Sequence, residues 1–131
     1  MTIWLPFDSF SSFQVKCRYI IQLKTRWIEP ERRITAYSFI KKQVDLGHQA
    51  FIVCPLIDES EAIQSRAATE EHTRLSSDIF PDLRLGLLHG RMPLKEKEEV
   101  MKQFKEKELD VLVSTPVVEV GIDIPNATVM L

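Results

Sequence analysis

The chain has 131 residues, 44% of them hydrophobic and 27% charged, which suits one ordinary globular domain with a single packed core. A formal net charge of −2 excludes a global basic field that would gather nucleic acid indiscriminately. No run of about 18 apolar residues exists to span a membrane, and the opening "MTIWLPFDSF" lacks the basic and long apolar regions of a secretory signal.

Charge is unevenly spread. Residues 1–48 carry eight Lys/Arg against four Asp/Glu, and residues 49–131 carry nine against fifteen. A nucleic-acid contact in the second part therefore has to be local, made by N–H groups, hydroxyls and a few placed cations. Cys17 and Cys54 form no CxxC or Cys/His cluster. That argues against zinc and against a disulfide framework, and the expected location is a reducing cytoplasm.

Along the chain, residues 1–24 hold Trp4, Phe7, Phe10, Phe13, Tyr19, Ile20 and Ile21 without a clean period, and remain unassigned. They can form an extra strand, a segment belonging against a neighbour, or a tail. From there Ile34, Tyr37, Phe39, Ile40 and Val44 recur at helical spacing, with Gly47 at the position past the helix end. "QAFIVCP" (49–55) reads as a buried strand, and a polar helix follows over about 61–78, capped from Asp58 to Ser60. "LRLGLLH" (83–89) is the next strand. Pro93 suits the first turn of a helix whose inner stripe is Val100, Met101 and Phe104. Lys95 to Glu99 read as that helix's outer face, with Glu98–Lys102 as an i,i+4 pair. "LDVLVST" (109–115) and "ATVML" (127–131) complete the strands.

Strands alternating with helices predict an α/β fold: a parallel sheet flanked by helices on both faces. Ligands of such sheets gather at the carboxyl ends of the strands, where "CPLIDES", "HGRMP" and "STPVVEVGID" fall. Ser114 and Thr115 serve either turn chemistry or a phosphate. Gly121 permits a positive φ or close backbone approach, and Asp123 either accepts from a ribose or caps a turn. His89 is either a structural hydrogen-bonder or a working group, and Arg91 either a phosphate contact or a solvated cation. The free N–H groups at the start of the following helix favour a phosphate. There is no G-x-x-x-x-G-K-[ST] loop, no DExx strand end and no GxGxxG.

Together, "FIVCPLIDESEA", "LRLGLLHGRMPLKEKEEVMKQFKEKELDVLVST" and "STPVVEVGIDIPNATVML" resemble the second motor domain of superfamily 2 helicases. Within that group they look most like the RecG-type bacterial ATP-dependent DNA helicases, "VCPLIDESE" being the discriminating stretch. The likeness is strong over about 49–131 and extends back to Thr25, so residues 25–131 are expected to be a partial RecA-like C-terminal motor domain. It implies that Thr115, with Ser114, contacts the backbone of the tracked DNA strand, and that Gly121 and Asp123 lie at the ATP cleft. His89, Gly90 and Arg91 match a segment near the nucleic-acid path, and Pro55 to Asp58 the loop after the fourth motif. ATP is the implied cofactor, with Mg²⁺ held elsewhere in the complete enzyme. The implied partner is forked or branched DNA.

The 131 residues contain neither the phosphate loop and Mg²⁺ carboxylate of a first motor domain nor an arginine-rich sixth motif. The expectation is a truncated piece of a helicase, inactive alone, with Val129 and the sheet face beside it either left as an apolar patch that promotes self-association or covered by residues 1–24. The competing expectations are a non-catalytic α/β remnant acting as an interaction module and a free-standing nucleotide-binding protein.

Overall fold

A computed structural model of the chain describes residues 2–6, 23–54, 60–115 and 127–131, and side chains only from residue 28 onward, Glu61 excepted. Strands β1 (Thr2–Pro6) and β2 (Leu23–Trp27) come first. A 3-10 turn at Pro30–Arg32 then leads into helix α1 (Arg33–Asp45), followed by β3 (Gln49–Val53). Helix α2 (Glu61–Arg74) closes in a π turn over Leu75–Ile79 and is followed by β4 (Leu85–Leu88). Helix α3 (Leu94–Lys105), β5 (Val111–Ser114) and β6 (Ala127–Met130) complete the order. Among the described residues no helix is long and apolar enough to cross a membrane.

The sheet runs β2-β1-β6-β3-β5-β4. Strands β6, β3, β5 and β4 are mutually parallel, as the alternation of strands and helices predicts. The residues that kept no period supply an antiparallel extension: β1 pairs with β2 from Thr2↔Trp27 to Pro6↔Leu23 and meets β6 at Trp4↔Met130.

Alternation along the strands sorts side chains onto two faces. Ala50, Ile52, Val111, Val113 and Val129 join Ala36, Tyr37 and Ile40 of α1, with Leu75 and Phe80 from the end of α2. Leu88, Leu112 and Phe51 meet Val100, Met101 and Phe104 of α3 on the other face. Val129 is 1% exposed, so it is not left uncovered; α1 closes the sheet face on which it sits. Met130 points the other way and is 46% exposed. Ala127 and Val129 serve opposite clusters because the β3–β6 register shifts between Gln49 and Ala50.

Gly86 lets α3 and β5 approach β4 closely. A Cβ there would stand 2.6 Å from Leu109 Cδ1 and 3.1 Å from Leu112 Cδ1. Across the sheet's lower edge, the buried Gln49 amide donates from Nε2 to the carbonyls of Phe104 and Leu109, each at 2.7 Å. One side chain thus ties β3 to the turn between α3 and β5. On the opposite side, Arg74 Nη2 donates to Tyr37 Oη at 3.0 Å while held by Glu71, which locks α2 to α1. Tyr37 meets Phe80 edge-on at 5.7 Å.

Two helix ends use the same device. Past α1, Gly47 has φ 88, its N–H donates to Val44 O, and His48 N–H donates to Gln43 O. Past α3, Lys107 has φ 62, its N–H donates to Phe104 O, and Glu108 N–H donates to Gln103 O. Both are Schellman closures, and only the first carries the glycine that the geometry favours.

Lys107→Gly is expected to stabilise the fold by about 0.5–1 kcal/mol, because it relieves a left-handed residue that bears a Cβ. Gln49→Leu, which strips a donor from two carbonyls, is expected to cost about 2 kcal/mol. Urea unfolding midpoints of the two variants against the parent chain check both signs.

Candidate nucleic-acid interface

Strands β3, β5 and β4 end side by side. Ser114 O accepts from Cys54 N–H at 2.8 Å, and Thr115 N–H donates to Leu88 O at 3.1 Å. These bonds bring Cys54, Thr115 and His89 level along one edge. Each helix that links parallel strands runs back across the sheet, so the N-terminal end of α3 lies at this edge as well. Cys54, His89 and Ser114 with Thr115, which open the three segments singled out from the sequence, lie on this edge. Pro55 to Asp58, Gly121 and Asp123 lie outside the described residues.

Ser114 and Thr115 are 3% and 2% exposed. Thr115 Oγ1 is fully buried and has no hydrogen-bond partner among the described residues. An unpaired buried hydroxyl costs about 1–3 kcal/mol, a cost that an acceptor brought to the strand end would offset. His89, one strand over, has a second such atom: its Nδ1 is buried without a partner. Burial, then the cations Lys97 and Arg91, depress the pKa of its imidazole below the ordinary value, against a weaker opposing pull from Glu96. A neutral imidazole keeps one N–H donor and one acceptor nitrogen.

The short connection from β4 to α3 is folded back by Met92 N–H donating to His89 O at 3.2 Å. Arg91 is exposed there, while Lys97 is half-buried and donates from Nζ to Gly90 O at 2.7 Å. This corrects the reading of Lys95 to Glu99 as a uniformly outer face. Lys97 turns inward because the loop offers it a bare carbonyl, a signal invisible to helical periodicity. The Glu98–Lys102 pair is not among the described ion pairs; Glu99 Oε1 instead accepts from Gln103 Nε2 at 3.3 Å.

Cys54, at the end of β3, has its thiol pKa pushed up to about 11, first by burial and then by the Glu71 carboxylate. It is a protonated, weakly reactive thiol at neutral pH. Among the described residues no three His, Cys, Asp or Glu side chains gather as a metal cradle. Among the described residues the edge therefore combines buried hydroxyls, an imidazole of depressed pKa, loop N–H groups and the exposed Arg91. Such a set suits a phosphodiester better than a free multivalent phosphate, because it spreads several weak donors over little positive charge.

With its parallel strands and flanking helices, the chain is consistent with a helicase motor domain. It belongs to the helicase C-terminal domain family: residues 31–131 match the model of the helicase conserved C-terminal domain. Within that family its likeness is to the RecG type, as "VCPLIDESE" implied. It is 45% identical over 108 residues to the ATP-dependent DNA helicase RecG of Synechocystis sp., a match covering 82% of this chain and 13% of that protein. It is also 45% identical over 109 residues to the Thermotoga maritima RecG, covering 83% of this chain and 14% of that one. The Aquifex aeolicus RecG is 50% identical over 94 residues, covering 72% of this chain and 12% of the relative. The chain thus spans about an eighth of the length of these relatives.

The sign of the His89 shift sets a pH dependence. The unfolded chain takes up this proton more readily than the folded one, so the stability is fully present above about pH 6.5 and erodes as pH falls below it. Denaturation midpoints measured from pH 7.5 to 5 are expected to fall more steeply for the parent chain than for His89→Gln.

Proposed function

We propose that this chain is part of an ATP-dependent DNA helicase that remodels replication forks and recombination junctions, and that residues 25–131 are its second motor-domain segment. Thr115 and Ser114, with His89, Gly90 and Arg91 from the adjacent strand end, contact the sugar–phosphate backbone of one DNA strand. Gly121 and Asp123 line the cleft where ATP binds against a first motor domain. The bound nucleotide supplies the phosphoryl-transfer free energy that drives movement along the strand. The residues of this chain hold the strand and set its register. The cytoplasm is the compartment of such an enzyme.

One observation carries the reading: the buried, unpartnered Thr115 hydroxyl and the buried, unpartnered His89 Nδ1 belong to adjacent strand ends at the carboxyl edge of a parallel sheet. A family whose members act on nucleic acid then gives those two atoms a ligand with the right acceptors and protons. Neutral donors explain how an acidic second half can hold a polyanion: contact is made group by group, without bulk charge.

Binding of a fluorescent thymidine oligonucleotide by the 131-residue chain is expected to be weak and salt-dependent. Thr115→Ala should weaken it about 3- to 10-fold, the loss of one hydrogen bond, with the salt slope unchanged. Arg91→Ala should instead flatten the log–log salt slope by about 0.7, one phosphate contact on a single strand. Fluorescence anisotropy across a salt series reads both. Indifference to both substitutions would place the DNA path elsewhere.

A further inference from the structure

Four lysines on α3 look alike in sequence, yet Lys95, Lys102 and Lys105 are exposed while Lys97 is half-buried on Gly90 O. Ordering a lysine costs rotamer freedom, and a charge-assisted bond returns a gain of similar size. The two nearly cancel, so the contact adds little to stability. Its consequence is conformational.

The chain has no cis peptide among the described residues, so each peptide unit is planar and trans, with C=O and N–H pointing to opposite sides. A Gly90 carbonyl held against Lys97 Nζ therefore turns the Arg91 N–H away from α3. Among the described residues that N–H has no acceptor, whereas the neighbouring Met92 N–H is spent on His89 O. The same ammonium also stands near the His89 ring, with Arg91 and Glu96 as the other charged groups acting on it.

We propose that Lys97 is a positioning residue for phosphate recognition: by holding the Gly90 carbonyl it aims the Arg91 N–H out of the β4–α3 corner beside His89 and Thr115. Lys97 does not itself contact the phosphate. Its charge is committed to the loop, and the loop presents the donor. This rests on the phosphate reading of the strand edge given above.

The test uses the 131-residue chain with a fluorescein-labelled thymidine oligonucleotide and the variants Lys97→Met, Lys97→Gln, Lys97→Arg and Thr115→Ala. Lys97→Met is expected to weaken binding about 5- to 10-fold with the salt slope unchanged, and Lys97→Arg, which keeps a donor within reach of Gly90 O, to recover most of it. In nitrogen-proton correlation spectra, Lys97→Met should shift the Gly90 and Arg91 amides, and the His89 imidazole should titrate at higher pH once the neighbouring cation is gone. A merely structural lysine would move the unfolding midpoint without these signatures. A salt slope flattened by about 0.7 in Lys97→Met would make Lys97 a direct phosphate contact and overturn the proposal. Unchanged binding in Lys97→Met, with binding lost in Thr115→Ala, would overturn it and leave the phosphate reading standing. Binding indifferent to Thr115→Ala would remove the phosphate reading, and the proposal with it. If Lys97→Met fails to fold, Lys97→Gln carries the same comparison, since it removes the charge while keeping a polar side chain of similar reach.

Discussion

The hydrogen-bond ladders on both edges of β5 are the constraint on which the rest of this structure depends. Val111 to Ser114 are buried throughout, with β3 on one side and β4 on the other. A slip of one residue in either ladder would turn Leu112 toward α1 and Val111 and Val113 toward α3, exchanging both cores at once. Burying each such aliphatic side chain contributes about 1.5–3 kcal/mol. An orphaned hydroxyl at Thr115 costs about 1–3 kcal/mol, and three buried aliphatics outweigh it comfortably. The sheet can therefore carry an unsatisfied polar atom at its rim without losing its register.

That rigid register is what makes the rim a candidate site. The Cys54–Ser114 and Leu88–Thr115 bonds set three strand ends level, so groups 26 or more positions apart in the chain meet along one line. Below them, Gln49 ties β3 to the α3–β5 turn, and Arg84 binds Asp110 through both carboxylate oxygens. The Arg84–Asp110 pair is largely exposed on the arginine side, so its contribution is geometric more than energetic. The working edge is left with a short loop whose conformation rests on the Lys97–Gly90 contact and one long backbone bond. Stiffness at the floor and economy of contacts at the rim are compatible, because phosphate recognition needs aimed donors more than strong internal bonds.

Electrostatics at that rim runs against the simplest picture of a nucleic-acid surface. The half of the chain that holds it is acidic, the one histidine there is kept neutral by burial and by its cationic neighbours, and one of the nearby cations is committed internally. What remains for a polyanion is a set of neutral donors and Arg91. Such a surface suits fit to a backbone more than long-range attraction.

The sequence by itself determined the elements of the parallel core. The runs at 49–55, 83–89 and 109–115 read as buried strands between helices, Gly47 and Pro93 marked helix boundaries, and the strand ends located Ser114, Thr115 and His89 on the carboxyl edge. These are local signals: period, cap and breaker act within one turn of a helix or a few residues of a strand. The tertiary structure alone decided the pairing of β1 and β2 beyond β6, the closure of α1 over Val129, the Gln49 tie and the inward turn of Lys97. Lys107 in a left-handed cap was equally hidden, because a lysine carries no preference for it. Each of these depends on partners that folding brings together from distant parts of the chain or presents on a loop. A side chain's own type does not record which carbonyl will lie within its reach.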